Sequence, residues 1–391
     1  MNSLWLLLLP VAATFGYVSS TYKRPRSTHQ MAIKNTKLPN NYLTQLNFLL
    51  NEQPDKAVDL FVKLLNVDNE TIETHLALGN LFRRRGEVDR AIRIHQNLIG
   101  QSQLNQEFRA QALYALAKDY LSAGVLDRAE RLFLELVELS THSKVSYRAL
   151  LYIYQQEKDW QKAIVIAQKL AAISEHNMQV EIAQYYCELA EIAVKQNDEN
   201  QARKFLKRAI AVNHNCVRAS LRLANIEMQK ENWGKALYYL KRVKNQNSDW
   251  LILVIAKIQD AYLALNQPEE LVEYLQEVLT NHPQMPIVVT LSEQIRQLHG
   301  DKAALLFVEE YVKNNPTVSG LHDLLSLQLL TKNSQVREDL ELLHELTRRL
   351  LQNQSGYHCV NCGFNGATIH WQCPSCKQWE TVKPAFLIHD A

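Results

Sequence analysis

Four cysteines near the end of the 391-residue chain are spaced as two pairs. They lie in "CVNCGFNGATIHWQCPSC" and form the pattern Cys359-x2-Cys362-x10-Cys373-x2-Cys376. Each Cys-x-x-Cys turn directs two sulfurs at one centre, and two such turns supply the four thiolates of a tetrahedral zinc or iron site. Because four protein ligands fill the tetrahedron, no position is left for a reactive water, and hydrolytic metal catalysis is not expected.

The residues around both cysteine pairs resemble a rubredoxin. Tyr357 precedes the first pair, Gly363 and Phe364 follow it, and Trp371 and Pro374 flank the third cysteine. The segment between the pairs is far shorter than in an electron-carrying rubredoxin, which argues against a free-standing redox role. The resemblance implies iron, whereas zinc is the physical default for four thiolates, and the sequence leaves the two open.

The remaining cysteines and two nearby histidines are predicted to lie outside the metal shell. His358 adjoins a cysteine ligand and His370 lies three residues before one, but four thiolates already complete the coordination. Cys187 and Cys216 fall in helical patterns, where a small buried apolar side chain is the expected role. The concentration of paired thiols in one segment favours a reducing compartment over a disulfide framework.

The metal is predicted to hold together a segment that is too short to fold by its own core. A stretch of about 35 residues buries too little apolar surface for independent stability, and metal ligation supplies the difference. Trp371, Trp379 and Phe364 would then dock on neighbouring helices, and we expect that surface in "LELLHELTRRLL", residues 340–351. The segment is therefore predicted to be a structural clasp.

The middle of the chain repeats a helical signature that an alanine marks. The marking residues, with a leucine in place of the alanine at one position, are Ala57, Ala91, Ala129, Ala163, Ala202, Ala236, Leu271 and Ala304. They lie 34, 38, 34, 39, 34, 35 and 33 residues apart. Large and small residues alternate upstream of the marks, as in "LALGNLF", and the small ones let two antiparallel helices approach closely. This pattern resembles the tetratricopeptide repeat, a helix-turn-helix unit of 34 residues. About eight units are predicted.

By this resemblance the units stack into a superhelical solenoid whose first helices line a groove that binds peptides or protein surfaces. The predicted partner-binding positions in the groove are Asn80, Arg83, Tyr114, Lys118, Arg148, Tyr152, Arg218 and Asn225. Repeat proteins that capture chain-terminal carboxylates place a lysine four residues before such an asparagine. Leu76 lies at that place here, so this ligand class is not favoured.

The first 22 residues carry no charged side chain. As a helix they would reach about 33 Å, enough to cross the hydrocarbon core of a bilayer. A basic cluster follows, with no acidic residue before Glu52: Lys23, Arg24, Arg26, Lys34 and Lys37. By the positive-inside rule this cluster stays in the cytoplasm, which predicts a single-pass anchor with the bulk of the chain facing inward. A cleaved signal peptide is the alternative, but it would carry positive charge before the apolar run.

The predicted fold class is all-α, with a solenoid between a transmembrane helix and a small metal knuckle. The domains are an anchor (1–22), a basic linker (23–37), the repeat array (38–316), a helical connector (317–354) and the rubredoxin-like domain (355–391). Scarce glycine and proline, 11 and 10, favour helix, and a net charge of only +2 argues against a nucleic-acid partner. The sequence contains no P-loop, HExxH or G-x-S-x-G motif, so no enzyme is predicted.

In this order and over the full length, the three parts resemble the lipopolysaccharide assembly protein B family of Gram-negative bacteria. The resemblance implies an inner-membrane adaptor that regulates lipopolysaccharide biosynthesis. Family members help the membrane protease FtsH degrade the LpxC deacetylase, which commits precursors to lipid A. They are also linked to other lipopolysaccharide synthesis and export proteins, and to an inner-membrane protein that restrains the adaptor. A non-proteolytic scaffold and a rubredoxin-type electron carrier are the alternatives.

Overall fold

The computed structural model describes residues 69–101, 104–175, 177–331, 337–352 and 356–384. The predicted anchor, the basic linker and the first repeat, with Ala57, lie outside these residues. Within them, no helix is both long and apolar enough to span a bilayer.

Sixteen α-helices occupy most of the described residues, in two compact units that divide after Val125. The first unit contains α1 (Asn69–Arg84), α2 (Val88–Ile99) and α3 (Gln106–Ser122). The second unit begins with α4 (Leu126–Glu138), α5 (Ser143–Glu157), α6 (Trp160–Ile173), α7 (Gln179–Lys195), α8 (Glu199–Val212), α9 (Val217–Gln229) and α10 (Trp233–Gln246). It continues through a 3₁₀ turn (Ser248–Trp250) to α11 (Leu251–Ala264), α12 (Pro268–Asn281), α13 (Met285–His299), α14 (Asp301–Asn314), α15 (Val318–Thr331) and α16 (Arg337–Gln352).

The residues that mark the repeats are completely buried between packed helices. Every described mark has 0% of its surface exposed: Ala91, Ala129, Ala163, Ala202, Ala236, Leu271 and Ala304. In the first unit Gly79 of α1 is packed tightly against the His95 side chain of α2, since a Cβ placed on Gly79 would lie 2.4 Å from His95 Nε2. The predicted helical repeat array is thus confirmed over the described residues.

The turns inside the repeats explain the short polar segments before the marks. One residue of each of four turns takes a left-handed conformation, with φ between 57° and 61°: Lys158, Asn197, Glu231 and Asn266. Asp159 then caps α6, and its side chain accepts a hydrogen bond from the backbone N–H of Lys162 at 3.1 Å. Asp198 does the same for α8. These caps satisfy N–H groups that a helix start otherwise leaves without partners.

After α16 the described chain changes from helix to a small antiparallel sheet. Its strands are β1 (Tyr357–Cys359), β2 (Asn365–Gly366) and β3 (Val382–Pro384), in the order β2-β1-β3. Cys359 faces Val382 across the β1–β3 pair, and both side chains are buried. The all-α prediction therefore holds for the array, while the metal knuckle is built on strands and turns.

Candidate metal centre, its docking surface and the groove

The four cysteine sulfurs converge on one point. Sγ of Cys359 lies 3.8 Å from that of Cys376, and Sγ of Cys362 lies 3.7 Å from that of Cys373. All four sulfurs lie within 4.8 Å of one another. A tetrahedron with metal–sulfur bonds of about 2.3 Å has sulfur–sulfur edges of about 3.8 Å, so the cluster fits one tetrathiolate metal ion. Zinc and iron both suit such a site.

The two cysteine pairs are held by similar turns. In each turn the residue after the second cysteine is left-handed: Gly363 at φ 79° and Lys377 at φ 59°. Its backbone N–H bonds the carbonyl of the first cysteine, at 2.9 Å to Cys359 and 3.0 Å to Cys373. Glycine takes this conformation without a steric penalty, which accounts for Gly363 in the first turn. In the second turn Lys377 takes the same conformation although it carries a Cβ.

Local hydrogen bonds prepare two of the thiols for metal binding. Burial alone would raise the pKa of Cys359, but the Thr381 hydroxyl and two backbone N–H groups of its turn lower it to about 6. The Asn361 side chain is the main cause that lowers the pKa of Cys376. Burial raises the pKa of Cys373 to about 11, so a bound cation is needed to ionise that thiol near neutral pH.

Both histidines near the cysteines contact residues other than the four cysteines. His358 Nδ1 lies 2.7 Å from Asn365 Oδ1, and the His370 ring lies edge-on to Phe364 at 5.9 Å. Among the described residues, the cluster suited to a metal contains the four cysteines and neither histidine. The centre is therefore a closed four-sulfur site.

Two tryptophans of the metal module, residues 356–384, fix it to the helices of the second unit. Trp379 lies edge-on to both Trp160 and Tyr185, with ring centroids 6.3 Å and 6.0 Å away. Trp371 packs against Trp250 at 4.9 Å. Three polar contacts join the same surfaces: Gln184 Nε2 to Glu380 Oε1 at 2.6 Å, Lys383 Nζ to Asp249 Oδ2 at 2.6 Å, and Gln372 Nε2 to Gln155 Oε1 at 3.3 Å.

This docking corrects the predicted one. Residues 340–351 belong to α16, which packs on α15, whereas the tryptophans contact α6, α7 and the turn before α11. Phe364 does not serve as a third anchor in the way expected, since it packs inside the module beside the cysteines. The partners of the module lie more than a hundred residues away in sequence, where no local pattern could identify them.

Comparison with known proteins agrees with the parts seen in the structure. The rubredoxin metal binding domain matches residues 357–384, and the tetratricopeptide repeat matches residues 74–107 and 187–249. Lipopolysaccharide assembly protein B of Escherichia coli (strain K12) is 36% identical over 98% of both chains. The protein of that name from Haemophilus influenzae is likewise 36% identical over 98% of both chains. The chain belongs to the lipopolysaccharide assembly protein B family.

Solved structures add little to this assignment. A tetratricopeptide repeat protein from Parabacteroides merdae is 16% identical, and the match covers 72% of this chain and all of that one. Its TM-score of 0.30 is too low to support an argument about geometry. Membership of the lipopolysaccharide assembly protein B family therefore rests on sequence identity over nearly the whole length.

In this member of the family, the groove residues predicted in the first unit form two small networks. Arg83 donates to Asn80 Oδ1 at 2.7 Å and to the buried Asp119 carboxylate at 2.8 Å. Lys118 Nζ lies 5.3 Å from the centre of the Tyr114 ring, and burial, aided by nearby arginines, lowers its pKa. Arg83 thus has a structural ion pair, and the binding role of all four predicted residues stays a prediction.

The predicted groove residues of the second unit differ in their surroundings. Arg148 and Tyr152 line a pocket of about 240 Å³, and 49% of the Tyr152 surface is exposed. Arg218 is buried, donates to Gln184 at 3.2 Å and pairs with Glu188 at 2.8 Å. Since Gln184 also donates to the metal module, Arg218 lies behind the docking surface.

Asn225 lines a second pocket, of about 370 Å³, between α7, α8, α9 and α11. It accepts a hydrogen bond from Lys257 Nζ at 2.6 Å, and burial lowers the pKa of that lysine. Arg222 pairs with Glu191 at 2.6 Å on the same pocket wall. Sequence reasoning missed Lys257 and Arg222, although Arg222 precedes the predicted groove residue Asn225 by three residues.

Proposed function

We propose that this protein is an inner-membrane adaptor that regulates lipopolysaccharide biosynthesis by promoting FtsH-dependent proteolysis of the LpxC deacetylase. Residues 1–22 would anchor it as a single-pass protein with its bulk in the cytoplasm. Membership of a family whose members are named lipopolysaccharide assembly proteins supports the pathway. The uncharged amino terminus and the basic cluster after it support the orientation.

The observation that carries the adaptor role is the fixed attachment of a closed metal site to a repeat array. A repeat array offers extended surface for protein partners, including other lipopolysaccharide synthesis and export proteins. The four cysteines would hold the metal, which links the two turns when bound; iron would also give one-electron redox capacity, and zinc would not. Anchoring beside a membrane protease raises the effective concentration of a bound client without new contacts.

The half-life of LpxC in cells tests the adaptor role. We expect LpxC to persist longer after depletion of this protein, and also in a strain with Cys373→Ser and Cys376→Ser. Ser375→Ala, an exposed change between the same two ligands, is the matched control and should leave the half-life normal. If LpxC persists only on depletion and not in the cysteine variant, the metal is dispensable for the adaptor role. An unchanged LpxC half-life in every strain would refute the adaptor role.

Two other functions give different outcomes. A non-proteolytic scaffold would hold synthesis enzymes together, and its depletion would reduce their association without changing LpxC half-life. An electron carrier would need reversible iron and an accessible centre, and its colour would bleach on reduction. The docked tryptophans and the two buried cysteines, Cys359 and Cys373, argue against a mobile carrier.

A further inference from the structure

Two successive repeats of the second unit place a cation and its partner at equivalent positions. Arg222 Nε of α9 lies 2.6 Å from Glu191 Oε1 of α7. One repeat later, 35 positions after Arg222, the equivalent residue on α11 is Lys257. The equivalent of Glu191, 34 positions on, is Asn225 of α9. Lys257 Nζ donates to Asn225 Oδ1 at 2.6 Å, so the contact recurs with an uncharged amide in place of the carboxylate.

This exchange of carboxylate for amide leaves the charge of Lys257 without a counter-ion. Among the residues that the structure describes, Lys257 donates to the Asn225 amide and forms no ion pair. Burial, and after it the Arg222 charge, lowers the pKa of Lys257, and the exposed Asp260 on the same helix opposes them less strongly. A partly desolvated ammonium without a counter-ion is unfavourable, and an anion placed beside it relieves that cost.

The unpaired ammonium lies in a pocket. Lys257 and Asn225 line the cavity of about 370 Å³ between α7, α8, α9 and α11. Its apolar lining includes the buried Leu206 and Ile226, and Val194, whose side chain is 45% exposed. Concave sites of this size that combine apolar walls with a few polar groups are typical of ligand binding. The pocket therefore offers a cation beside apolar surface that a ligand can cover.

The charges of the pocket favour one class of anion. Arg222 and Glu191 neutralise each other, and the charge of the exposed Asp260 is screened by water and salt. One negative charge, such as a carboxylate carries, therefore balances Lys257. A phosphate monoester carries about −1.5 to −2 charges near pH 7, which is more than one ammonium balances beside two carboxylates. The apolar walls fit a carboxylate with a large apolar group beside it, as in a peptide that has Asp or Glu next to Leu or Phe.

We propose that this pocket binds an internal acidic residue of a partner protein, whose carboxylate pairs with Lys257 while a neighbouring large apolar side chain covers Leu206 and Val194. The carboxylate then takes the place that Glu191 has in the preceding repeat. Such a segment would belong to a client of the adaptor, and in that respect the inference rests on the proposed function. Binding by the purified chain needs neither FtsH nor LpxC, so it succeeds or fails separately from the adaptor role.

A library of random short peptides tests the pocket, with the full chain in detergent micelles as bait. The peptides are displayed with fused carboxyl ends, so that only an internal Asp or Glu supplies the carboxylate. We expect the selected peptides to share an acidic residue beside a large apolar one, and to bind Lys257→Gln at least about tenfold more weakly. Lys235→Gln, the same change at an exposed site of α10, is the control and should bind normally. A library without binders, or binders that lack an acidic residue or tolerate Lys257→Gln, would overturn the proposal.

Asn225→Glu gives a second test with a readout that needs no ligand. It introduces the carboxylate that the preceding repeat has at Glu191, so the new side chain should pair with Lys257 and occupy the place of the ligand. We expect the melting temperature to rise by about 2–4 °C and the selected peptides to bind at least about tenfold more weakly. A lower melting temperature, or unchanged peptide binding, would refute the view that Lys257 is an unpaired cation. Displacement of the peptides by inorganic phosphate but not by acetate would assign the pocket to a phosphate ligand and contradict the carboxylate.

Discussion

Replacing Trp379 with alanine should release the metal module from the array without emptying the metal site. The indole has only 9% of its surface exposed and contacts both Trp160 and Tyr185. The change leaves all four cysteine ligands in place, so the metal content should stay at one ion per chain. What it removes is the apolar contact between the module and α6 and α7.

The contacts set the size of the effect. A buried tryptophan replaced by alanine costs about 3–5 kcal/mol. Each edge-on aromatic pair contributes about 0.5–1.5 kcal/mol of such a total, and Trp379 makes two pairs. Trp371 and the polar contacts still hold the module to the array. We therefore take the lower value, about 3 kcal/mol, as the loss of docking free energy. A loss of about 3 kcal/mol raises the population of the undocked state about 100-fold.

Hydrogen–deuterium exchange with mass spectrometry reports this change directly. Peptides that cover residues 372–384 should exchange up to about 100-fold faster in Trp379→Ala, because exchange follows the open population. Tyr238→Ala removes an aromatic ring that is 59% exposed and serves as the control. Unchanged exchange in these peptides, or loss of the metal together with the tryptophan, would refute the view that Trp379 fixes a separately formed module.

Three further changes, one of them with Gly234→Ala as its control, test other parts of the structure. Burial raises the pKa of Asp323 from 3.8 to about 6, so its ionisation destabilises the fold increasingly between about pH 4 and 6 and fully above pH 6. Asp323→Asn should therefore gain at most about 3 kcal/mol at pH 7.5 and about half of that at pH 5, as thermal melts at both pH values would measure. Gly79→Ala would place a Cβ 2.4 Å from His95 Nε2 and should lose about 1–3 kcal/mol in urea unfolding. Gly234→Ala meets no atom within 4 Å and should be neutral or gain up to about 1 kcal/mol. Metal chelation should unfold residues 356–384, seen as faster exchange there, while helical circular dichroism stays nearly constant.

The repeat array and the metal ligands could be predicted because both depend on local spacing. A completely buried alanine at Ala163 or Ala236 recurs with the period of the helix pair, so the sequence reports the packing directly. The four cysteines likewise need only two short turns to bring their sulfurs together. The left-handed conformation of Lys377 could not be predicted, because a lysine stands where the other turn has Gly363.

The docking surface could not be predicted, because it joins segments that are distant in the chain. Trp160 and Trp233 each precede a repeat alanine by three residues, yet Trp160 contacts the module and Trp233 packs in a core cluster. No feature of the neighbouring sequence distinguishes these two tryptophans. The same limit applies to the predicted groove residue Arg218, whose buried pairing with Glu188 depends on how two neighbouring helices meet.

We propose that the metal module, fixed on the array, enables this protein to act as an adaptor that shortens the half-life of LpxC. The most direct measurement is LpxC half-life in cells that carry Trp379→Ala at normal protein level and with the metal bound. We predict that LpxC then persists as long as we expect after depletion, because the module is present but no longer held in place. A normal half-life in those cells, with undocking verified on the purified variant, would contradict the account.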